Sequence, residues 1–245
     1  MKMTFFKNIL IASFLVSAFF SNAQNADLIN QTDPQGRKQG FWKKTDKTGV
    51  VKYEGQFRDD VPYGEFKYFY EDGNLKATSQ IFDDGKSSNT RTYHPNGKLM
   101  SDGKYSDKAK DSTWKLYDEA GNLLAEEYYN MNSKEGEWKM YYREGGISEI
   151  MHYQNDVLSG SWVQYFTDGT LKLEAIYAEG ALQGPATYFY NTAVIKARGS
   201  YVKGNKDGKW EFFTRESQLQ KTETYRNGGL LTTEIFIETP PEEQE

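Results

Sequence analysis

Cysteine is absent from the 245-residue chain, and histidine occurs only twice, as His94 and His152. Without cysteine, the chain forms no disulfide and no thiolate zinc site. The two histidines fall at unrelated places in the repeat described below, so we do not expect them to lie together. A nucleophile elbow and a phosphate-binding loop are also missing. We therefore predict a non-catalytic protein with no cofactor or metal site.

The chain also lacks an excess of positive charge and any long apolar run. Its formal net charge is −5, which argues against a nucleic-acid partner, because such partners require a basic patch. The run from Ile9 to Phe20 is too short for a transmembrane segment, and Ser21-Asn22-Ala23 follows it. This pattern predicts a signal peptide over 1–23 and export to the periplasm, the cell envelope or the medium.

What the chain does contain is a 24-residue repeat that occurs eight times without insertion. The repeats start at Gly40, Gly64, Ser88, Ser112, Gly136, Gly160, Gly184 and Gly208. They fill residues 40–231, between a lead-in over 24–39 that we expect to cap the sheet and an edge strand with an acidic, proline-led tail over 232–245. Such regularity indicates a fold in which each unit packs only on its neighbours.

Four positions of the repeat, counted from its start, carry apolar residues. Position 3 holds all five tryptophans of the chain, whereas Phe66, Thr90 and Ala186 replace tryptophan in repeats 2, 3 and 7. Positions 6 and 18 are mostly aromatic, and position 12 is always aliphatic. We predict that these residues form the repeating core, with the following representatives: Trp42, Trp114, Trp138, Trp162, Trp210, Tyr117, Tyr141, Tyr165, Leu123, Leu171, Tyr153 and Tyr177.

Two turns punctuate each repeat. Sequences such as Asp72-Gly73-Asn74 and Asp168-Gly169-Thr170 at positions 9–11 are strong hairpin signals, because such turns need a positive φ. The second turn, at positions 19–24, includes acid pairs such as Asp59-Asp60, which we interpret as turn residues rather than as a calcium or catalytic site. The fold class predicted is all-β, with one elongated, twisted antiparallel sheet made of eight hairpins.

The assignment of faces has two solutions. Positions 6, 12 and 18 share parity and should share a face, whereas position 3 has the opposite parity. Either both faces of the sheet carry aromatic residues, or a β-bulge near position 4 or 5 brings the tryptophan onto the common face. We favour the bulge. We also expect the glycine at position 1 to lie beneath an aromatic ring from position 18.

At this point the residues resemble a known family. The pattern Gly-x-Trp-x-x-Tyr followed by Gly-x-Leu, as in Gly160–Leu171, is similar to the MORN-repeat variant. Proteins built of this variant resemble the YwqK-like group, often labelled as antitoxins of toxin–antitoxin pairs. The resemblance implies a β-hairpin repeat protein that acts in protein interaction or scaffolding.

For function, we predict a scaffold that binds another protein. Position 4 is basic in the first five repeats, and the candidate binding surface consists of Lys67, Arg91, Lys115 and Lys139. The alternative is a module that binds a cell-wall glycan through exposed aromatic rings, since tyrosine and tryptophan combine a large contact area with a polar tip.

Overall fold

The computed structural model describes residues 29–238, and within them the chain forms strands and turns only. The first strands are β1 Gln31–Thr32, β2 Lys38–Thr45, β3 Val51–Arg58, β4 Val61–Phe69, β5 Leu75–Phe82, β6 Ser87–Tyr93 and β7 Leu99–Ser106. The next are β8 Ala109–Tyr117, β9 Leu123–Asn130, β10 Ser133–Lys134, β11 Gly136–Tyr141, β12 Ile147–Gln154, β13 Val157–Leu158 and β14 Gly160–Tyr165. The last are β15 Leu171–Ala178, β16 Ala181–Leu182, β17 Gly184–Phe189, β18 Ile195–Val202, β19 Asn205–Phe213, β20 Leu219–Arg226 and β21 Gly229–Ile235.

These 21 strands form a single open antiparallel sheet in which each strand pairs with its neighbours along the chain. The predicted fold class is therefore confirmed. Each repeat supplies two strands of the sheet. The short strands β10, β13 and β16 are the first residues of repeat strands that a local irregularity separates from β11, β14 and β17. They raise the number of strands without changing the order.

The two predicted turns lie at opposite ends of the strands. At one end, Gly73 and Gly169 adopt φ values of 85° and 84°, as the Asp-Gly signal predicts. At the other end, Asp59 and Asp60 have φ values of 52° and 69°, the combination that a two-residue type I′ turn requires. Ala193 takes the place of the glycine in repeat 7 and still adopts a φ of 63°, so its hairpin keeps the shape of the others.

A β-bulge recurs inside every hairpin, between positions 5 and 6 of the repeat. In repeat 4, for example, Leu116 pairs with Ala125 and Tyr117 pairs with Leu123, which leaves one extra residue on β9. The predicted bulge is therefore present. It places positions 3, 5, 14, 16 and 18 on one face, called here the tryptophan face, and positions 4, 6, 12 and 15 on the opposite face. Both faces consequently carry aromatic residues, and the expected single common face is wrong.

A second bulge, which the sequence did not reveal, lies between successive hairpins. Between β7 and β8, the three residues at positions 1 to 3 of repeat 4 stand opposite Gly103 alone, and the ring of Trp114 lies directly over it. A Cβ on Gly103 would be 2.2 Å from that ring. The glycine covered by an aromatic ring is thus at position 16, and the expectation for position 1 is wrong. Position 1 instead takes a positive φ, 71° at Gly64.

The two ends of the sheet differ. At the first edge, β1 pairs with β2 and is joined to it by a turn over Asp33–Gly36. At the other edge, β21 pairs with β20, is exposed along its whole length and starts at Gly229 rather than at 232. The predicted signal peptide, the first lead-in residues and the tail beyond Glu238 lie outside the described residues. Within 29–238, no helix is long and apolar enough to cross a membrane.

Candidate functional site

The tryptophan face carries a row of rings that pack between hairpins. Trp114, Trp138 and Trp210 are only 2%, 5% and 1% exposed. Each indole N–H donates to the backbone carbonyl at position 17 of the preceding repeat, at 3.1, 3.0 and 3.1 Å. These three rings therefore stabilise the sheet from within and present almost no surface to a ligand.

A lysine covers the outer side of most of these rings. Lys110 lies 4.7 Å from the ring centroids of both Trp114 and Tyr129, and Lys206 lies 4.5 Å from that of Trp210. Lys38 and Lys134 make the same contact in repeats 1 and 5. Such cation–π packing is favourable, and the lysine stems shield the rings from water. Burial lowers the pKa of Lys206, as expected for an ammonium group held against an apolar surface.

The row differs locally at two tryptophans and in repeat 7, where alanine replaces the tryptophan. Trp42 and Trp162 are half-buried. The indole of Trp162 donates to Glu149 instead of to a backbone carbonyl. In repeat 7 the side chain at position 3 is Ala186, and the partly buried Leu182 and Tyr188 pack against the cluster that contains it. The space left by the missing ring is filled there by residues of the chain.

Repeat 3 departs most from the others, because the second bulge is absent between β5 and β6. Ser79 pairs with Thr90 and Ile81 with Ser88, in an uninterrupted ladder. The Ser79 and Thr90 hydroxyl oxygens are 2.9 Å apart, and Ser88 bonds to Thr90 at 3.1 Å. The two residues that a bulge would contain lengthen the turn instead, so that Phe82 and Ser87 enclose a four-residue loop.

This arrangement leaves a cleft of about 370 Å³ on the tryptophan face, called here the repeat-3 cleft. Its floor consists of Ser79, Ser88 and Thr90, and its apolar walls include Tyr68 and Tyr105. Burial raises the pKa of the Tyr68 phenol. Lys86 and Lys108, both exposed, stand at the rim. The sequence signal for the cleft was the loss of both the glycine at position 1 and the tryptophan at position 3 in one repeat.

The predicted cationic surface lies on the opposite face, and each of its four members is paired with an acid. Lys115 Nζ lies 3.1 Å from Glu126 and Arg91 Nε 3.3 Å from Asp102, across neighbouring strands. Lys67 and Lys139 pair with acids at position 2 of their own strands, at 3.4 and 2.7 Å. The hydrogen bond to Glu126 raises the pKa of Lys115. This face is therefore a lattice of paired charges rather than a row of free cations.

The predicted core tyrosines at position 6 lie on this charged face. Tyr117, Tyr141 and Tyr165 are half-buried, as are Leu123 and Leu171 at position 12. Tyr141 donates its hydroxyl to Glu126 at 3.1 Å. Partial burial opposes ionisation of Glu126, but the bonds from Lys115 and Tyr141 hold its pKa below the ordinary value. Tyr153 and Tyr177, at position 18, contact Trp138 and Trp162 on the tryptophan face.

Both histidines of the chain lie within hydrogen-bond distance of backbone carbonyls. The Nε2 atom of His94 lies 2.9 Å from the carbonyl oxygen of Tyr117, and His152 Nδ1 lies 3.0 Å from that of Ser161. Within 29–238, no three acidic or histidine side chains are grouped so as to hold a metal ion. A depression of about 580 Å³, larger than the repeat-3 cleft, lies at the end of the strands that carries the Asp-Gly turns. It is lined by residues such as Tyr70, Asp72 and Pro95.

Comparison with known proteins identifies the repeat. The family described as MORN repeat variant matches residues 62–83, 89–107, 110–131 and 134–155, which cover most of repeats 2 to 5; three of these matches begin two residues before the repeat start used here. The resemblance seen in the sequence is confirmed for these four units. The YwqK-like antitoxin group is not identified by this match. No curated protein matches the chain.

Solved structures add little. One chain that matches comes from the assembly titled "Crystal Structure of TcdB2-TccC3-Cdc42", with 11% identity and a TM-score of 0.23. The match covers 84% of this chain but only 14% of that chain, so this protein spans about a seventh of the other's length. A similarity at this level carries no argument about function.

Proposed function

We propose that this chain is an exported, non-catalytic scaffold that binds another protein through the surface of its repeats. The observation that carries the proposal is the contrast between the two faces of the sheet, one with buried rings and the other with exposed charges. Three of the five tryptophans are buried in the packing of the tryptophan face, whereas the opposite face offers a long surface of paired charges and half-buried tyrosines. Mixed polar surfaces with aromatic residues are typical of protein interfaces that are not permanent.

Export is proposed from the sequence of residues 1–23. The expected mature chain begins at Gln24, which N-terminal sequencing of the secreted or envelope fraction checks. A chain that keeps Met1 in that fraction would contradict the proposal. The antitoxin role implied by the resemblance would be one form of such binding, directed at a toxin protein.

The glycan alternative would need several tryptophans exposed at one repeat spacing. Three of the five are 5% exposed or less, so their faces are not available for stacking on a sugar ring. The scaffold is therefore the better-supported function, and the glycan module is kept only as an outcome of the test below.

The test is capture of a partner from the native envelope by the immobilised chain, with mass spectrometry of the captured proteins. The informative variant reverses two charges on the opposite face, Lys115→Glu with Lys139→Glu. The matched control, Lys172→Glu with Lys196→Glu, makes the same change in net charge at position 13 of repeats 6 and 7. We expect the first variant to lose a defined partner and the control to keep it. Equal capture by both would show that the face carrying Lys115 and Lys139 does not hold the partner. Capture of cell-wall glycan alone would favour the alternative.

A further inference from the structure

The repeat-3 cleft interrupts the row of rings on the tryptophan face. In repeat 7, where Ala186 also replaces the ring, residues of the chain pack around the site instead. In repeat 5, the ring of Trp138 lies between the tyrosines at position 18 of two successive repeats, 5.2 Å from Tyr129 and 5.0 Å from Tyr153. In repeat 3, Ile81 and Tyr105 occupy those two flanking positions, and both line the cleft. The position between them holds the small side chain of Thr90 instead of a ring.

The cation that usually covers the ring is retained. Lys86 precedes Thr90 by four residues, as Lys110 precedes Trp114 and Lys134 precedes Trp138. The ammonium groups of Lys110 and Lys134 lie 4.7 and 4.6 Å from the ring centroids. The Lys86 side chain lines the cleft but makes no ion pair or ring contact among residues 29–238, and the same holds for Lys108. Two ammonium groups without a partner therefore stand beside an apolar wall.

The floor of the cleft suits a ring with a polar tip. The hydroxyls of Ser79 and Ser88 each bond to that of Thr90, so none of the three is left without a partner. A hydroxyl oxygen has two acceptor sites, and the floor can therefore also accept a hydrogen bond from an indole N–H or a phenol O–H. Elsewhere on this face, indole N–H groups also donate to acceptors of the sheet, although there the acceptors are backbone carbonyls.

We infer that the repeat-3 cleft receives an aromatic side chain, tryptophan or tyrosine, from a partner polypeptide. The inserted ring completes the row, lies against Tyr105 and Tyr68, and places its electron-rich face toward the ammonium groups of Lys86 and Lys108. The complementarity is between a cation and the quadrupole of the ring, which protein interiors use repeatedly. The inference rests on the proposed scaffold function, since it names one residue type by which a partner is held. At about 370 Å³, the cleft lies at the lower end of the range of about 300–1,000 Å³ usual for ligand sites.

The direct test uses a blocked, uncharged pentapeptide with 5-fluorotryptophan at its centre, titrated with the full chain and followed by fluorine NMR. We expect a saturable shift with the natural chain. The variant Thr90→Trp fills the cleft from within and should abolish the shift. Lys86→Gln leaves the ladder intact and should weaken binding by about twofold to fivefold. The matched control, Lys110→Gln, removes a cation whose ring is internal and should leave peptide binding unchanged.

Three results would overturn the inference: no saturable shift with the natural chain, a shift that persists in Thr90→Trp, or equal weakening by Lys86→Gln and Lys110→Gln. If Thr90→Trp does not fold, the two lysine variants decide the question. Since the titration uses no natural partner, its failure leaves envelope capture by the scaffold untouched, and failed capture leaves the titration interpretable.

Discussion

The junction between β5 and β6 and the next junction, between β7 and β8, have serine at position 1 and differ in shape. Ser112 adopts a φ of 68°, whereas Ser88 is not among the residues with positive φ. The left-handed conformation costs a serine about 1–2 kcal/mol. Burial of the large ring of Trp114 outweighs that cost, because truncating such a ring costs about 3–5 kcal/mol. Thr90 offers no comparable gain, so the backbone at Ser88 in β6 stays extended. With serine at position 1 in both junctions, the residue at position 3 therefore accounts for the difference. Gly184, which precedes Ala186 in repeat 7, adopts a positive φ of 82° without a ring to offset it, because glycine does so at no steric cost.

The largest effect that tests this comparison is removal of the ring. We expect Trp114→Ala to reduce the free energy of unfolding by about 3–5 kcal/mol, because the indole is 2% exposed. Thr90→Ala, the matched change at the ladder without a bulge, should cost only about 1–2 kcal/mol for the lost hydrogen bonds to Ser79 and Ser88. Chemical denaturation of the two variants measures both. Similar losses in the two would contradict the difference drawn between the junctions.

A smaller effect is expected from adding a methyl group beneath the ring. Gly103→Ala places a Cβ against Trp114 and should cost about 1–3 kcal/mol by overpacking. Ser79 already carries a Cβ at the equivalent position of repeat 2, so Ser79→Ala should cost no more than about 1 kcal/mol. Combining Gly103→Ala with Trp114→Ala should give less than the sum of the two losses, because the clash disappears with the ring. Strict additivity in denaturation would count against this contact.

Much of this contrast follows from the sequence, but not all. The phase of the repeat, the hairpins and the turns at Gly73 and Asp59-Asp60 were predictable, because local residue types with positive φ mark them in nearly every copy. The bulge inside the hairpin was predictable from the conflicting parity of positions 3 and 18. The bulge between hairpins was not, because the covered glycine at position 16 occurs in only three repeats, as Gly55, Gly103 and Gly199. Its loss in repeat 3 depends on the energetic balance between a ring and a strained backbone, which pattern alone does not report.

The candidate site was harder to predict than the fold. The lysines and Arg91 at position 4 could be assigned to one face, but their pairing with acids depends on cross-strand register, which the bulges alter. Five tryptophans at one repeat position predicted a row without saying which members are covered. Trp162 and Trp114 have the same place in the pattern, yet only Trp114 is fully buried.

Replacing the serine at position 1 by glycine should change the free energy of unfolding in opposite directions at the two junctions. Ser112→Gly should stabilise the chain by about 0.5–1 kcal/mol, because glycine accepts the positive φ of 68° without strain. Ser88→Gly should destabilise it by about 0.5–1 kcal/mol, since glycine in an extended strand loses more backbone entropy. Thermal unfolding of the pair measures the signs. Changes of the same sign in both would show that the two serines share one conformation.

The smallest effect concerns an ion pair at the junction with the bulge. Lys104 Nζ lies 3.1 Å from Asp111, and this hydrogen bond holds the pKa of Asp111 below its ordinary value. A lowered pKa in the folded chain gives stability that is present above about pH 4 and is lost as the pH falls further. Since both groups are partly exposed, we expect only about 0.5 kcal/mol. Asp111→Asn should therefore reduce stability at pH 7 but not at pH 2, as denaturation at the two pH values would show. An equal loss at both would exclude the ion pair as its source.

The four-residue loop between Phe82 and Ser87 has a consequence for how the sequence of such a repeat protein can evolve. Two extra residues are taken up either in the bulge or in the turn, so the two forms differ by a two-residue slide of the short segment between them. Beyond that segment the register is the same, since Arg91 pairs with Thr78 as Lys115 pairs with Asp102. Because side chains alternate with a period of two, the slide keeps every side chain on its own face. The length of the repeat and the phase of all later repeats are unchanged. Repeat 3 therefore differs from its neighbours in backbone shape through substitutions alone, with no insertion or deletion.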